Sequence, residues 1–342
     1  MCHNCQVTSR TVSRPVCILG LGLIGGSLLR DLAAADVAVF GYNRSPSGAR
    51  AARGEGFDVS DDLTATLTRA EDTGALIVLA VPMPAIPGLL DAIATHAPHC
   101  GITDVVSVKA QVWEEVCARG MQDRYVGGHP MAGTADSGWS AAQQGLFDGA
   151  AWVVTFDRAM KPGSSRDVDP HLPQEWIDLW VDVATLATLV GAQVIPARVE
   201  QHDKAVARIS HLPHVLAETL AIVGDTGGAL TLSLAAGSFR DGTRVAGSSP
   251  SLVRAMCETN HHALVTALDE AIALLQDARA GLTGDSPSVE ELVDAGYRSR
   301  VRYEARSRGY AGRPVLRVRP GQPGWVGQLL QAEDVGARVD VF

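Results

Sequence analysis

Short apolar runs recur along the chain as far as Ala197, with amphipathic stretches between them. VCILG, VAVFGY, ALIVLAV, GITDVVS, YVGGH, AWVVTF and AQVIPA each read as a buried strand, being short, apolar and rich in β-branched residues. Helical stretches fall between them, at 26–35, 47–54, 86–96 and 113–120. Strand and helix in alternation predict a parallel sheet covered on both faces, a doubly wound α/β domain spanning 14–197. The segment KPGSSRDVDP, broken by Gly, Pro and Ser, is expected to be a surface loop.

Beyond Ala197 the strand signal stops. KAVARISHLPHVLAETLAIVG, SPSLVRAMCETNHHALVTALDEAIALLQDARAGL and SVEELVDAGYRSRVRYEARSRG are periodic at helical spacing, which predicts an all-helical domain over 198–310. Their apolar faces are broader than one such domain needs for itself, so a homodimer is expected. The tail, 311–342, reads as two short strands around a turn and a helix.

Composition narrows the possible partners. Of 342 residues, 46% are hydrophobic and 20% charged, the mix of a folded globular chain, and the net charge of -9 argues against a nucleic-acid groove. Arg supplies nearly all the positive charge, since the only lysines are Lys109, Lys161 and Lys204. Cys2 and Cys5 form a C-x-x-C pair that His3 could extend, but no second pair completes a zinc site, so no metal is expected. The first 14 residues lack the apolar core of a signal peptide. CILGLGLIGGSLL and ALIVLAVPM are too short or too broken to span a bilayer. A cytoplasmic protein without a membrane segment is the expectation.

The strongest local motif is VCILGLGLIGGSLL, with Gly20, Gly22 and Gly25 in G-x-G-x-x-G spacing between a strand and a helix. The first glycine makes the tight turn, the second admits a pyrophosphate to the backbone, and the third lets helix and strand pack closely. Leu23 and Ile24 open the helix whose positive end would meet the phosphates. A dinucleotide enzyme that prefers NAD usually carries an acid at the end of the second strand to bond the ribose 2′-hydroxyl. Here FGYNRSPS puts Asn43 in that place, followed by Arg44, Ser45 and Ser47. Donors without a carboxylate suit a 2′-phosphate, so NADP is favoured and NAD remains possible.

Four further segments carry chemistry. DVVSVKAQV ends a strand at Ser107, and GGHPMAGTADSG carries His129 at the end of another. In a parallel sheet both would face the nicotinamide, and His129 could accept a proton from a substrate alcohol near neutral pH. In HDKAVARISHLPHVLAETL, Ser210 and His214 share a helix face, His211 points elsewhere, and Pro213 should kink the helix. His211 and His214 could be metal ligands, but no acid or cysteine is spaced to complete a set. Arg240 and Arg244 lie in GSFRDGTRVAGSSP, read as a glycine-bounded turn that aims a guanidinium fork at a carboxylate. The competing reading is a surface salt bridge of Arg240 with Asp241. Two Arg, two His and a nicotinamide site together suggest a small dicarboxylate hydroxy acid.

The segments GLGLIGGSLL, D-x-x-SVK, GGHPMAGT, HD…ISHLPH and FRDGTRVAGS resemble, in order and over about 14–305, the prephenate/arogenate dehydrogenases. The resemblance implies a Rossmann-like domain followed by a helical dimerisation domain, and oxidative decarboxylation of a cyclohexadienyl acid in tyrosine biosynthesis. It also implies that His129 takes the proton of the ring hydroxyl, Ser107 orients that hydroxyl, Arg244 binds a carboxylate, and Ser210, His214 and Arg240 line the pocket. The chain departs from the family where Glu often follows GHPMAGT, since Ala135 and Asp136 stand there. The tail is too short for the regulatory ACT domain that some members carry. Asp136 and Asp241 could meet an ammonium, which favours arogenate over prephenate. Two other classes compete. A different NADP-dependent hydroxy-acid dehydrogenase, of the 6-phosphogluconate type, would use Lys204, but no Asn stands at the expected turn after it. A non-catalytic NADPH-binding regulator would have no need of His129 and the two arginines.

Overall fold

The computed structural model describes residues 12–134, 136–164, 166–308 (backbone only at 307 and 308) and 312–342, so Cys2, His3, Cys5 and Ala135 lie outside the described residues. Six strands form one parallel sheet: β1 Val16–Leu19, β2 Val39–Tyr42, β3 Val59–Ser60, β4 Leu76–Leu79, β5 Ile102–Asp104 and β6 Tyr125–Val126. Their order is β3-β2-β1-β4-β5-β6, so the direction of winding reverses between β1 and β4. Helices Leu23–Ala34, Pro46–Gly54, Leu63–Thr73, Ile86–His96 and Ala110–Ala118 make the connections. Side chains alternate across a strand. Val16, Ile18, Leu76 and Val78 therefore enter one apolar core, and Cys17, Leu19, Ile77 and Leu79 the core on the opposite face. Two buried faces explain why these strands are continuous apolar runs.

The single sheet expected from the alternation is in fact two. β7 Gly128–Pro130, β8 Ala151–Thr155 and β9 Gln193–Ala197 form a separate sheet in which β7 runs antiparallel to β8, and β8 parallel to β9. YVGGH, read as one strand, breaks at Gly127. Its N–H donates to Thr155 Oγ1 at 2.9 Å, and the Thr155 N–H returns to its carbonyl at 2.8 Å. A Cβ on Gly127 would lie 2.8 Å from Thr155 Oγ1 and 2.9 Å from Tyr125 Oη, so the crossing between sheets needs a glycine there.

The tail does not stand apart. β10 Val315–Val318, helix Trp325–Val335 and β11 Arg338–Val341 form a parallel β-α-β unit, and Val315–Phe342 join the residues up to Val199 in one compact unit. The ring of Trp325 lies 5.6 Å from Trp180 and 6.3 Å from Trp176, both on helix Gln174–Leu189. Glu333 accepts from the Arg198 backbone N–H at 2.6 Å and from its Nε at 2.8 Å. Beside it, Asp157 Oδ2 accepts from the Val199 N–H at 2.9 Å, and burial pushes the Asp157 carboxyl up to about 7.

The second unit, Glu200–Pro314, is helical as expected. Its helices are Val199–Val206, Leu212–Thr226, Gly228–Ser233, Gly237–Thr243, Pro250–Thr259, His261–Thr283 and Glu290–Arg308. Ahead of Pro213, where a kink is expected, the helix carries a π turn over Ala207–His211. Pro213 has no N–H to return to the preceding turn, and the backbone widens just ahead of it. On helix His261–Thr283, Val265, Ile272, Leu275 and Leu282 recur at coiled-coil-like spacing and are all exposed.

Candidate functional site

The glycine loop is shaped by contacts that exclude any side chain. Gly20 has φ +102°, and a Cβ there would lie 2.4 Å from the Ala80 carbonyl oxygen. A Cβ on Gly25 would lie 2.0 Å from the Gly20 carbonyl oxygen. Both glycines are therefore demanded by the fold itself. Gly22 differs: a Cβ there would meet nothing within 4 Å. It caps helix Leu23–Ala34 with no side-chain bond to the helix amides and no acid in the first turn. An open glycine before uncapped amides, including those of Leu23 and Ile24, at a sheet's switch point fits a pyrophosphate.

At the end of β2, the Asn43 N–H donates to the Ser60 carbonyl at 3.0 Å and the Arg44 side chain is exposed. Ser45 caps helix Pro46–Gly54, accepting from the Gly48 N–H at 3.4 Å, and lies 2.8 Å from Ser47 Oγ. The acids after neighbouring β3 are engaged elsewhere. Asp62 Oδ1 caps its own helix through the Ala65 N–H at 3.0 Å, and Asp61 Oδ1 lies 3.5 Å from Arg53.

Ser107 and His129 are reached by different routes from those expected. β5 ends at Asp104, so Ser107 stands in the loop before helix Ala110–Ala118 rather than on the strand. His129 lies within β7, opposite Val153 of β8, and not at the carboxyl end of a parallel strand. The two segments nevertheless meet. Lys109 Nζ, fully buried, donates to the Gly128 carbonyl at 2.7 Å and to Asp104 Oδ1. The buried Asp104 carboxylate also accepts from the Val106 N–H at 2.8 Å and from Tyr125 Oη at 2.5 Å. Asp104, Lys109 and Tyr125 escaped the sequence reading. The available signal was a lysine inside D-x-x-SVK, in a chain that otherwise uses Arg.

In the second unit, His214 Nδ1 lies 2.9 Å from the Ser210 carbonyl. A carbonyl only accepts, so Nδ1 carries a proton. Both side chains are half-buried. His211 is buried, and Asn260 Nδ2 donates both to its Nδ1 at 3.2 Å and to the Asp203 carbonyl at 2.8 Å. Burial lowers the His211 pKa from 6.5 to about 4, so the ring is neutral. Buried His202 pairs with Asp203 through Nδ1 at 2.7 Å. Among the described residues no group of three His, Cys, Asp or Glu could hold a metal, so His211 and His214 gain no third ligand.

Arg240 and Arg244 are not in a glycine-bounded turn. Arg240 belongs to helix Gly237–Thr243, and Arg244 opens the 3-10 turn Arg244–Gly247, one helical turn further on. Both side chains are exposed, and Arg240 Nε contacts Asp241 Oδ1 at 3.3 Å. No helix among the described residues is long and apolar enough to cross a membrane.

The nucleotide-binding domain model of prephenate dehydrogenase matches residues 27–164, and its dimerisation domain model matches 198–295. A cyclohexadienyl dehydrogenase of Zymomonas mobilis is 32% identical over 286 residues, covering 80% of this chain and 89% of that one. A candidate prephenate dehydrogenase of Corynebacterium glutamicum superposes with a TM-score of 0.92 at 63% identity, covering 97% of this chain and 100% of that one. The arogenate dehydrogenase of Synechocystis superposes at 0.67, with 28% identity over 84% of this chain and 99% of its own.

Proposed function

The chain belongs to the prephenate dehydrogenase family, and from that premise we propose that it is an NADP-preferring, homodimeric dehydrogenase that oxidatively decarboxylates arogenate. The observation that carries the reading is the Lys109 bond to the Gly128 carbonyl, which joins the loop of Ser107 to the strand of His129. A hydroxyl donor and an imidazole on adjoining segments suit a ring alcohol.

Gly20, Gly22, Leu23, Ile24 and Gly25 would hold the pyrophosphate, and Asn43, Arg44 and Ser45 the ribose end. The cofactor, when bound, supplies the hydride acceptor. Ser107 orients the C4 hydroxyl and His129 takes its proton as C4 loses hydride. The C1–carboxylate bond then breaks, CO₂ leaves, and the electron pair enters the ring. His129 returns the proton to the oxygen, so aromatisation drives the step and the protein mainly positions and moves one proton. Arg244 binds a carboxylate, with Arg240, Ser210 and His214 lining the same pocket. The exposed apolar faces of the second unit, whose family model is a dimerisation domain, support the homodimer.

Arogenate rests on Asp136 and Asp241 as partners for its ammonium. The contact of Asp241 with Arg240 favours the second reading, prephenate, because it occupies that acid. Nicotinamide reduction, followed by absorbance with each substrate and each cofactor, decides both questions. Arogenate should give the higher kcat/KM, and a clear preference for prephenate refutes that choice. NADP should outperform NAD, and Arg44→Ala should narrow the gap by about fivefold, the size of an exposed charge-assisted contact of about 1 kcal/mol. Equal use of the two cofactors by the wild type overturns the NADP assignment.

A further inference from the structure

We propose that Lys109 is a positioning residue for the proton transfer, its ammonium tying the Ser107 loop to the His129 strand; this rests on the dehydrogenase reading above. The two groups that handle the ring hydroxyl belong to different sheets, since Ser107 follows β5 and His129 lies on β7. The segments approach so closely that a Cβ on Gly128 would lie 2.6 Å from the Asp104 carbonyl oxygen. Across this contact Lys109 Nζ bonds Asp104 on one side and the carbonyl of Gly128, the residue before His129, on the other. Asp104 cannot turn away, because its oxygens also hold the Val106 N–H and the Tyr125 hydroxyl.

Stability alone is a poor explanation for this arrangement. The side chains of Lys109 and Asp104 are both 0% exposed, and desolvating two charges consumes most of what their attraction returns. An apolar pair of similar volume would fill the space as well or better. The ion pair does fix direction. A three-donor ammonium bonded to a carboxylate and a carbonyl holds the β7 backbone at one height relative to the Ser107 loop. Proton transfer is sensitive to that height, since displacement by about 1 Å can cost about a hundredfold in rate. Lys109 therefore acts through His129 and need not touch the substrate.

The test is a double-mutant cycle in the full-length protein. Lys109→Met alone leaves Asp104 buried and unpaired and is expected to fold poorly, so the working variant is Asp104→Asn with Lys109→Met. It should keep its melting temperature and its cofactor Kd within about twofold, and lose about a hundredfold in kcat. Introduced into His129→Asn, the same pair of changes should lower the residual rate by less than about threefold, because the group it positions is already gone. Tyr125→Phe, which leaves both charges paired, should show the same pattern at about a tenth of the size and serves if the paired variant is unstable. An equal loss in both backgrounds overturns the proposal, as does an unchanged kcat or a joint fall in melting temperature and cofactor affinity. NMR titration of the His129 ring is a readout independent of turnover. Its apparent pKa should move by roughly half a unit or more in the paired variant, and a fixed value overturns the tie. A wild type that oxidises neither prephenate nor arogenate refutes the functional reading, and the His129 titration then still decides the positioning role.

Discussion

Of the 21 large hydrophobic side chains that stand exposed among the described residues, 18 lie in Glu200–Pro314, while the first unit leaves out only Val315, Val335 and Phe342. The first unit has two cores, one on each face of its main sheet, and pairs Lys109 with Asp104 and Arg198 with Glu333 in its interior. The second unit arranges its helices with an apolar stripe facing outward. The first unit thus buries nearly all of its large apolar side chains, and the second leaves many of its own exposed. At about 25 cal/mol per Å² of apolar surface, covering such faces in a homodimer would stabilise the second unit.

Substitutions on either side of that divide should behave differently. His129→Asn in the first unit should lower kcat by about 10² to 10⁴, the usual cost of a lost general base, with cofactor affinity and sedimentation unchanged. Near-wild-type turnover removes His129 from the chemistry. Ile272→Asp, at a position 41% exposed in the lone chain, should be silent if that face is free. In a homodimer it drives a charge into an apolar contact, which should weaken association about a hundredfold, near 3 kcal/mol, and shift sedimentation toward the monomer. An unshifted profile moves the interface to another face.

Arg244→Ala should raise the substrate KM about tenfold to a hundredfold, because it strips a charge-assisted bond present in ground and transition states alike. Arg244→Lys should recover only part, since an ammonium lacks the planar fork. An unchanged KM in both variants places the carboxylate elsewhere. The smallest effect is on acid stability. The pKa of His211 is depressed in the folded chain, from 6.5 to about 4. The stability it contributes is therefore complete above pH 6.5 and is lost as pH falls toward 4, about 2 kcal/mol between pH 7 and pH 5. Calorimetry should show the second unit's transition falling over that window, and His211→Gln should flatten the fall. A transition insensitive to pH there contradicts a neutral buried imidazole.

The parallel sheet could be read from the chain because both its faces are buried, which leaves uninterrupted apolar runs such as ALIVLAV. The two-residue β3 is too short to leave such a trace. YVGGH looked like one strand because glycine fits a strand as readily as a break, and only the contacts around Gly127 show which it is. Arg240 and Arg244 read as a turn because Gly237, Gly242 and Gly247 punctuate the segment, but helix Gly237–Thr243 tolerates the first two glycines at modest cost. The set Asp104, Lys109, Tyr125 and Gly128 is assembled from three strands and a loop, and no local periodicity records that meeting. His129 and Ser107 could be picked out of the chain as candidates. Their surroundings could not.

The return of Val315–Phe342 to the first unit has a consequence for the order of synthesis. A ribosome releases the whole helical unit before it makes helix Trp325–Val335 and β11, which pack beside β9 and against Trp176 and Trp180. The nascent first unit therefore waits, through more than a hundred residues of elongation, with one edge of its second sheet bare and two tryptophans uncovered. Arg198 spends the same interval without Glu333. At roughly 5–20 residues per second that wait lasts several seconds, long on the scale of chain collapse and long enough for a chaperone to find the exposed edge.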